Sequence, residues 1–454
     1  MSSILKLRIN AIVVILLFSG IFLVGCKKSE NNIPKETLAI NEWILDYMDF
    51  FYFWNKELPN IDPRLEPDSE KYFEKLLKKP DDKWSFITDN AKELFEYFDG
   101  VIKSMGYSIQ LYYLEEGSDQ VIAIVEFVYP NSPASEAGIA RGDIFTRING
   151  SIITDSNYQE LLSLDKMTIT LASLTNSGIV EQPSTINLNA IKLETNPIVV
   201  KSIAEVNGTK IGYLAYTSFI EKYDSELIQT FLEFKEAGVN ELVLDLRYNG
   251  GGSVTSAQLL ASLIAPTSAG GDIFISEVWN NNITEYYQQE DIDTQIRIEH
   301  HDAALHLNRV YVLTTQGTAS ASEMVIYGLK PYMEVVQIGD VTYGKYYGSI
   351  TITADEDEKH NWAIQPIVMR SENKTNSINY SVGLPPDYEL IDNRYNAQLG
   401  DPEEHFLAAA IGLITKGSLP VAPTLKSKSV QRTVRNSKDL NDPLRTIMIT
   451  KMKK

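Results

Sequence analysis

The run Val310-Tyr311-Val312-Leu313, then Thr318-Ala319-Ser320-Ala321-Ser322-Glu323, then Met324-Val325-Ile326-Tyr327-Gly328-Leu329 constrains the fold more than any other stretch. Four consecutive apolar residues read as a buried strand. The second apolar stretch reads as a helix. A turn of small residues between them sets a hydroxyl at a helix N-terminus, where backbone N–H groups lack intrahelical partners and the dipole favours negative charge. The bland reading of Ser320 and Glu323 is structural, because S-x-x-E is the spacing of a capping box. Whether Ser320 does more depends on the rest of the chain.

A chain of 454 residues is long enough for about three domains. Its net charge of −19 argues against a general nucleic-acid binder. Residues 1–25 read as a signal peptide: Lys6 and Arg8 form a basic start, an apolar run follows, and the stretch ends Leu23-Val24-Gly25-Cys26. Cys26 is the single cysteine, which excludes an intramolecular disulfide or a multi-cysteine metal site. A cysteine directly after L-x-G resembles the bacterial lipobox, which implies lipidation of Cys26 and tethering to the cell envelope outside the inner membrane.

Residues 26–36 are polar and read as a tether. In 37–100, Trp43, Tyr47, Phe51 and Trp54 mark one face of a helix. Further helical segments flank Trp84-Ser85-Phe86-Ile87, and the region reads as a small helical domain. Residues 104–195 turn to strands, with a buried run at Val121-Ile122-Ala123-Ile124-Val125. Residues 196–420 alternate strands and helices, the mark of an α/β domain. Within them Glu241 to Arg247 runs into Asn249-Gly250-Gly251-Gly252-Ser253. That turn lacks the G-K-[ST] of a phosphate loop, so it reads as bare backbone approaching a substrate. Residues 421–454 hold nine basic residues against two acids and read as a tail, either solvated or docked on anionic lipid or on the acidic body of the chain.

The five histidines show no H-E-x-x-H and no G-x-S-x-G elbow occurs, so a zinc peptidase and a Ser-His-Asp hydrolase both lack support. No metal, nucleotide or other cofactor is expected. A serine can instead be activated by a lysine whose amine is desolvated enough to accept its proton near neutral pH. Lys345, after Thr342-Tyr343-Gly344, is the candidate.

Two resemblances assemble these parts. Ser132-Pro133-Ala134-Ser135-Glu136-Ala137-Gly138-Ile139 with Arg141-Gly142-Asp143-Ile144 resembles a PDZ domain of bacterial proteases, which implies a carboxylate-binding loop at Gly106, Tyr107, Ser108 and Ile109. There, consecutive N–H groups meet a peptide's terminal carboxylate and the peptide adds to a sheet edge. The glycine-rich turn, T-A-S-A-S-E and T-Y-G-K, in that order after the PDZ-like region, resemble the S41 C-terminal processing peptidases, which use a serine–lysine dyad. The resemblance covers about 36–420. It implies an α/β multi-domain chain with a crotonase-like ββα-spiral core. It also implies Ser320 as nucleophile, Lys345 as general base, and an oxyanion hole from Ala321 with Gly250 and Gly251.

The family commonly carries a glutamine four residues after the lysine; here Ser349 stands there and is the candidate orienting group. The expected partners are proteins or peptides with a free C-terminus, and the membrane through the lipid. The alternatives are a silent peptide-binding scaffold of the same fold and a sugar- or nutrient-binding lipoprotein. Oligomeric state is not legible.

Overall fold

The computed structural model describes residues 33–453, except 116, 176–177, 355–358, 376–379, 393–394, 396 and 421–445. The signal peptide, Cys26 and most of the tether and basic tail lie outside the described residues. Among the described residues, no helix is long and apolar enough to cross a membrane.

The chain divides into two compact units, Met1–Lys92 with Thr351–Pro366, and Glu93–Ile350 with Ile367–Lys454. The first holds helices α1 (Lys35–Phe51) and α2 (Ser69–Leu76) and strand β1 (Phe86–Thr88). The α1 stripe is buried at Trp43, Tyr47 and Phe51, as its spacing predicts. Strand β1 pairs antiparallel with Ala363–Gln365, so a segment read as part of the α/β domain joins this unit.

The second unit opens with a β-rich module. Its strands are β2 (Tyr107–Tyr113), β3 (Val121–Val128), β4 (Ile144–Ile148), β5 (Lys166–Thr175) and β6 (Gly178–Asn189), hydrogen bonded in that order. Leu111, Val125, Phe145 and Ile169 centre its core.

The remainder runs β7 (Ile198–Val206), β8 (Thr209–Tyr216), α3 (Asp224–Ala237), β9 (Glu241–Asp245), β10 (Gly252–Ser253), α4 (Val254–Ile264), β11 (Ile273–Trp279), β12 (Gln295–Arg297) and β13 (Arg309–Thr314). It continues with α5 (Ala321–Leu329), β14 (Glu334–Gly339), β15 (Tyr347–Ser349), β16 (Ile367–Glu372), β17 (Tyr388–Glu389), α6 (His405–Lys416) and β18 (Met448–Ile449).

One sheet has the order β7-β8-β9-β13-β14-β17, and all its pairings after β7-β8 are parallel. Parallel strands are covered on both faces, which is why Val310 to Leu313 is continuously apolar and buried. A second sheet has the order β10-β18-β15-β16-β11-β12. Helix α5 is buried along its whole length. A Cβ on Gly328 would come within 2.2 Å of the Phe274 ring, so only glycine allows α5 this close to β11.

The topology gathers the three sequence motifs. The glycine turn leaves the C-terminal end of β9, the T-A-S-A-S turn leaves β13, and T-Y-G-K follows β14. These strands are adjacent and in register, with Asp245 opposite Leu313 and Thr314 opposite Gly339. Parallel α/β sheets place ligand sites beyond the carboxyl ends of their strands.

Candidate active site

Ser320 stands between β13 and the first residue of α5 with φ +63° and ψ −113°. That conformation is rare for a side-chain-bearing residue and is held only where surroundings over-determine it. Here they do. Ala319 N–H donates to the Asn249 carbonyl (3.1 Å), Thr318 Oγ1 to the Leu246 carbonyl (2.8 Å) and Ser322 Oγ to the Asn249 carbonyl (3.0 Å). Tyr343 N–H donates to the Thr318 carbonyl (2.9 Å). The three turns are stitched together by backbone and hydroxyl hydrogen bonds. The Ser320 hydroxyl is buried and makes no hydrogen bond among the described residues.

Glu323 is the hub. Its carboxylate, fully buried, accepts from Ser320 N–H (2.8 Å) and Lys345 N–H (2.9 Å) on Oε2. On Oε1 it accepts from Gly344 N–H (2.7 Å) and the Thr342 hydroxyl (2.5 Å). Half of the expected capping box is therefore made. The same oxygens also fix the backbone that carries Lys345. Burial pushes the Glu323 carboxyl up to about 7, against these four donors, which pull it down. The sequence identified this residue only as a cap.

Lys345 is 1% exposed. Its Nζ donates to the Thr446 carbonyl and makes no hydrogen bond to Ser320 Oγ. The Ser349 hydroxyl donates to the Met448 carbonyl (3.0 Å).

The glycine turn approaches Ser320 as bare backbone. Gly251 has φ +114°, and a Cβ there would lie 2.8 Å from Ser320 Cβ and 3.1 Å from Ala321 N. Gly251 N–H is taken by Asn249 Oδ1 (2.9 Å). Gly252 N–H instead meets a peptide carbonyl, that of Ile447, at 2.6 Å. Gly252 is thus the donor that faces a chain in the site, a residue the motif reading passed over.

Behind the turn lies a buried ion network. Arg247 makes a bidentate pair with Asp245 and donates to Glu404 (3.0 Å). Arg141 of the β-rich module donates to the same Glu404 oxygen (3.0 Å), to Tyr248 Oη (2.7 Å) and to the Glu126 carbonyl (2.6 Å). An arginine directly after a buried strand must be paired, and that was the available sequence signal.

A cavity of about 900 Å3 runs from Tyr107, Ser108 and Ile109 to Gly250, Gly251 and Tyr343. Gly106 lies behind this wall; its N–H is taken by Ser104 Oγ (2.9 Å), and a Cβ there would lie 2.1 Å from Ser132 Cβ. Among the described residues, no group of three His, Cys, Asp or Glu side chains could hold a metal.

The comparisons with known proteins agree with one another. The sequence profile for peptidase family S41 matches residues 210–390, and that for the peptidase S41 N-terminal domain matches 39–86. A relative from Staphylococcus aureus, the "Probable CtpA-like serine protease", is 24% identical over 391 residues, covering 79% of this chain and 70% of that protein. The carboxy-terminal processing protease CtpA of Bacillus subtilis is 25% identical over 288 residues, covering 62% of this chain and 56% of that protein. Among solved structures, a Bacteroides fragilis protein assigned to the S41 proteases superposes with a TM-score of 0.69 at 28% identity, over 82% of this chain and 96% of that one. The chain belongs to peptidase family S41 and is a CtpA-like serine protease.

Proposed function

We propose that the chain is an extracytoplasmic, lipid-anchored endopeptidase in which Ser320 is the nucleophile and Lys345 the general base. The observation that carries this reading is a buried serine and a buried lysine mounted on one carboxylate, Glu323. Lys345 takes the Ser320 proton as Oγ attacks the scissile carbonyl, and the resulting oxyanion is held by backbone N–H groups at Ala321 and the glycine turn. The proton then passes to the leaving amine. Lys345 next activates the water that hydrolyses the acyl-enzyme. Ser349 helps to orient the amine.

Residues 104–195 act as a PDZ-like capture module with 106–109 as its peptide loop, residues 196–420 as the peptidase domain and residues 37–100 as the helical domain. The cavity that joins Tyr107 to Ile109 with Gly250 and Gly251 supports delivery of a captured chain to Ser320. Cys26 carries the lipid.

The missing hydrogen bond between Ser320 and Lys345 favours a second reading, an inactive peptide-binding scaffold. Incubating the chain from Lys27 onward with an unfolded protein separates the two. The peptidase reading requires cleavage that Ser320→Ala and Lys345→Ala each abolish; the scaffold binds without cleaving.

A further inference from the structure

The segment 446–453, which contains β18, lies in the site itself. Met448 and Ile449 pair in parallel with Gly252 and Ser253 on one side, and Ile449 with Ser349 on the other. Gly252 N–H and Lys345 Nζ, two groups that a substrate would need, are both spent on this segment, through the carbonyls of Ile447 and Thr446. With the segment in place, Lys345 Nζ makes no hydrogen bond with Ser320 Oγ, the contact through which it would take the proton.

The groove fits this occupant. Met448 is fully buried. Thr450 N–H donates to the Ser349 carbonyl (3.0 Å), and Thr450 Oγ1 to buried Glu277 (2.5 Å). Lys451 pairs with Glu221 (2.5 Å), which also accepts from Ser253 Oγ (2.7 Å). Tyr287 Oη donates to the Met452 sulfur (3.4 Å). Acidic groups thus meet the basic residues of the segment. The hold is short, with few backbone hydrogen bonds and one fully buried large side chain, so the entropy of ordering the segment opposes it.

We propose that residues 446–453 are a built-in occupant of the peptide groove, held as an added strand across the site and displaced when a substrate chain enters. The proposal rests on reading the groove beside Ser320 as the peptidase cleft. It predicts that the groove, once vacated, accepts a strand of the same chemistry in trans.

The test uses the full chain carrying Ser320→Ala, so that no readout depends on turnover. Thr450→Glu with Lys451→Glu sets carboxylates against Glu277 and Glu221. Hydrogen–deuterium exchange reports the segment, and fluorescence anisotropy reports binding of a dye-labelled peptide with the sequence of residues 446–453.

The Thr450 amide should be protected in the parent and lose protection in the variant. The labelled peptide should bind the variant at least about tenfold more tightly, because a tethered competitor acts at millimolar effective concentration. Exchange of the parent segment at the rate of an unstructured chain, or equal peptide affinity in parent and variant, overturns the proposal. If core strands lose protection in the double variant, Lys451→Glu alone, at an exposed side chain, carries the same comparison. Absence of cleavage by chains with Ser320 intact refutes the peptidase reading and leaves this result untouched.

Discussion

Replacing Glu323 by glutamine separates stability from activity. The carboxyl sits at about 7 against an ordinary 4.5, which corresponds to about 3 kcal/mol. Because the folded value is raised, the stabilisation is fully present below 4.5 and is lost as pH rises through 7. Glutamine is an isostere of the neutral acid and does not titrate. Denaturant unfolding should therefore find the stability difference between variant and parent shifting in the variant's favour, by up to about 3 kcal/mol, as pH rises from 4.5 through 7.

Activity should move the other way. An amide in place of either oxygen turns a donor toward N–H groups of Ser320 and Lys345, or toward Gly344 and Thr342. A displacement of about 1 Å at a reacting group costs about 100-fold. The kcat/KM of the variant on an unfolded protein should fall by about that factor. A variant that keeps kcat/KM within about threefold, or a stability difference that does not change with pH, would refute the reasoning.

Three further outcomes follow from the geometry. Gly251→Ala should abolish cleavage, measured as product formation, since its Cβ has no room beside Ser320 and its φ of +114° is strained for alanine. Arg141→Ala leaves Glu404 short of one of its two guanidinium partners in a buried network; unfolding by denaturant should show a loss of about 3–5 kcal/mol. Gly328→Ala should lower Tm, because the new methyl meets the Phe274 ring.

Legibility in the sequence followed locality. The strand, turn and helix around Ser320 are written in consecutive residues, and so is the aromatic face of α1. The family resemblance rests on short motifs of that kind. The role of Glu323 is not local: its spacing to Ser320 announces a cap, but its bonds to Thr342, Gly344 and Lys345 depend on β13 and β14 lying side by side. The joining of residues 351–366 to the N-terminal helices depends on a strand pairing with β1 nearly 300 residues away in the chain. The segment 446–453 reads as a basic tail from composition, and part of its docking does use that charge. Its place in the groove is set instead by the free edges of β10 and β15, which no composition shows.

The most direct test is proteolysis itself. The chain from Lys27 onward, its Ser320→Ala variant and its Lys345→Ala variant are incubated with the same unfolded protein from pH 6 to 9, and fragments are followed by mass spectrometry. The account requires fragments from the parent and none above background from either variant. Equal cleavage by parent and variants, or none by the parent across that range, would contradict a Ser320–Lys345 peptidase.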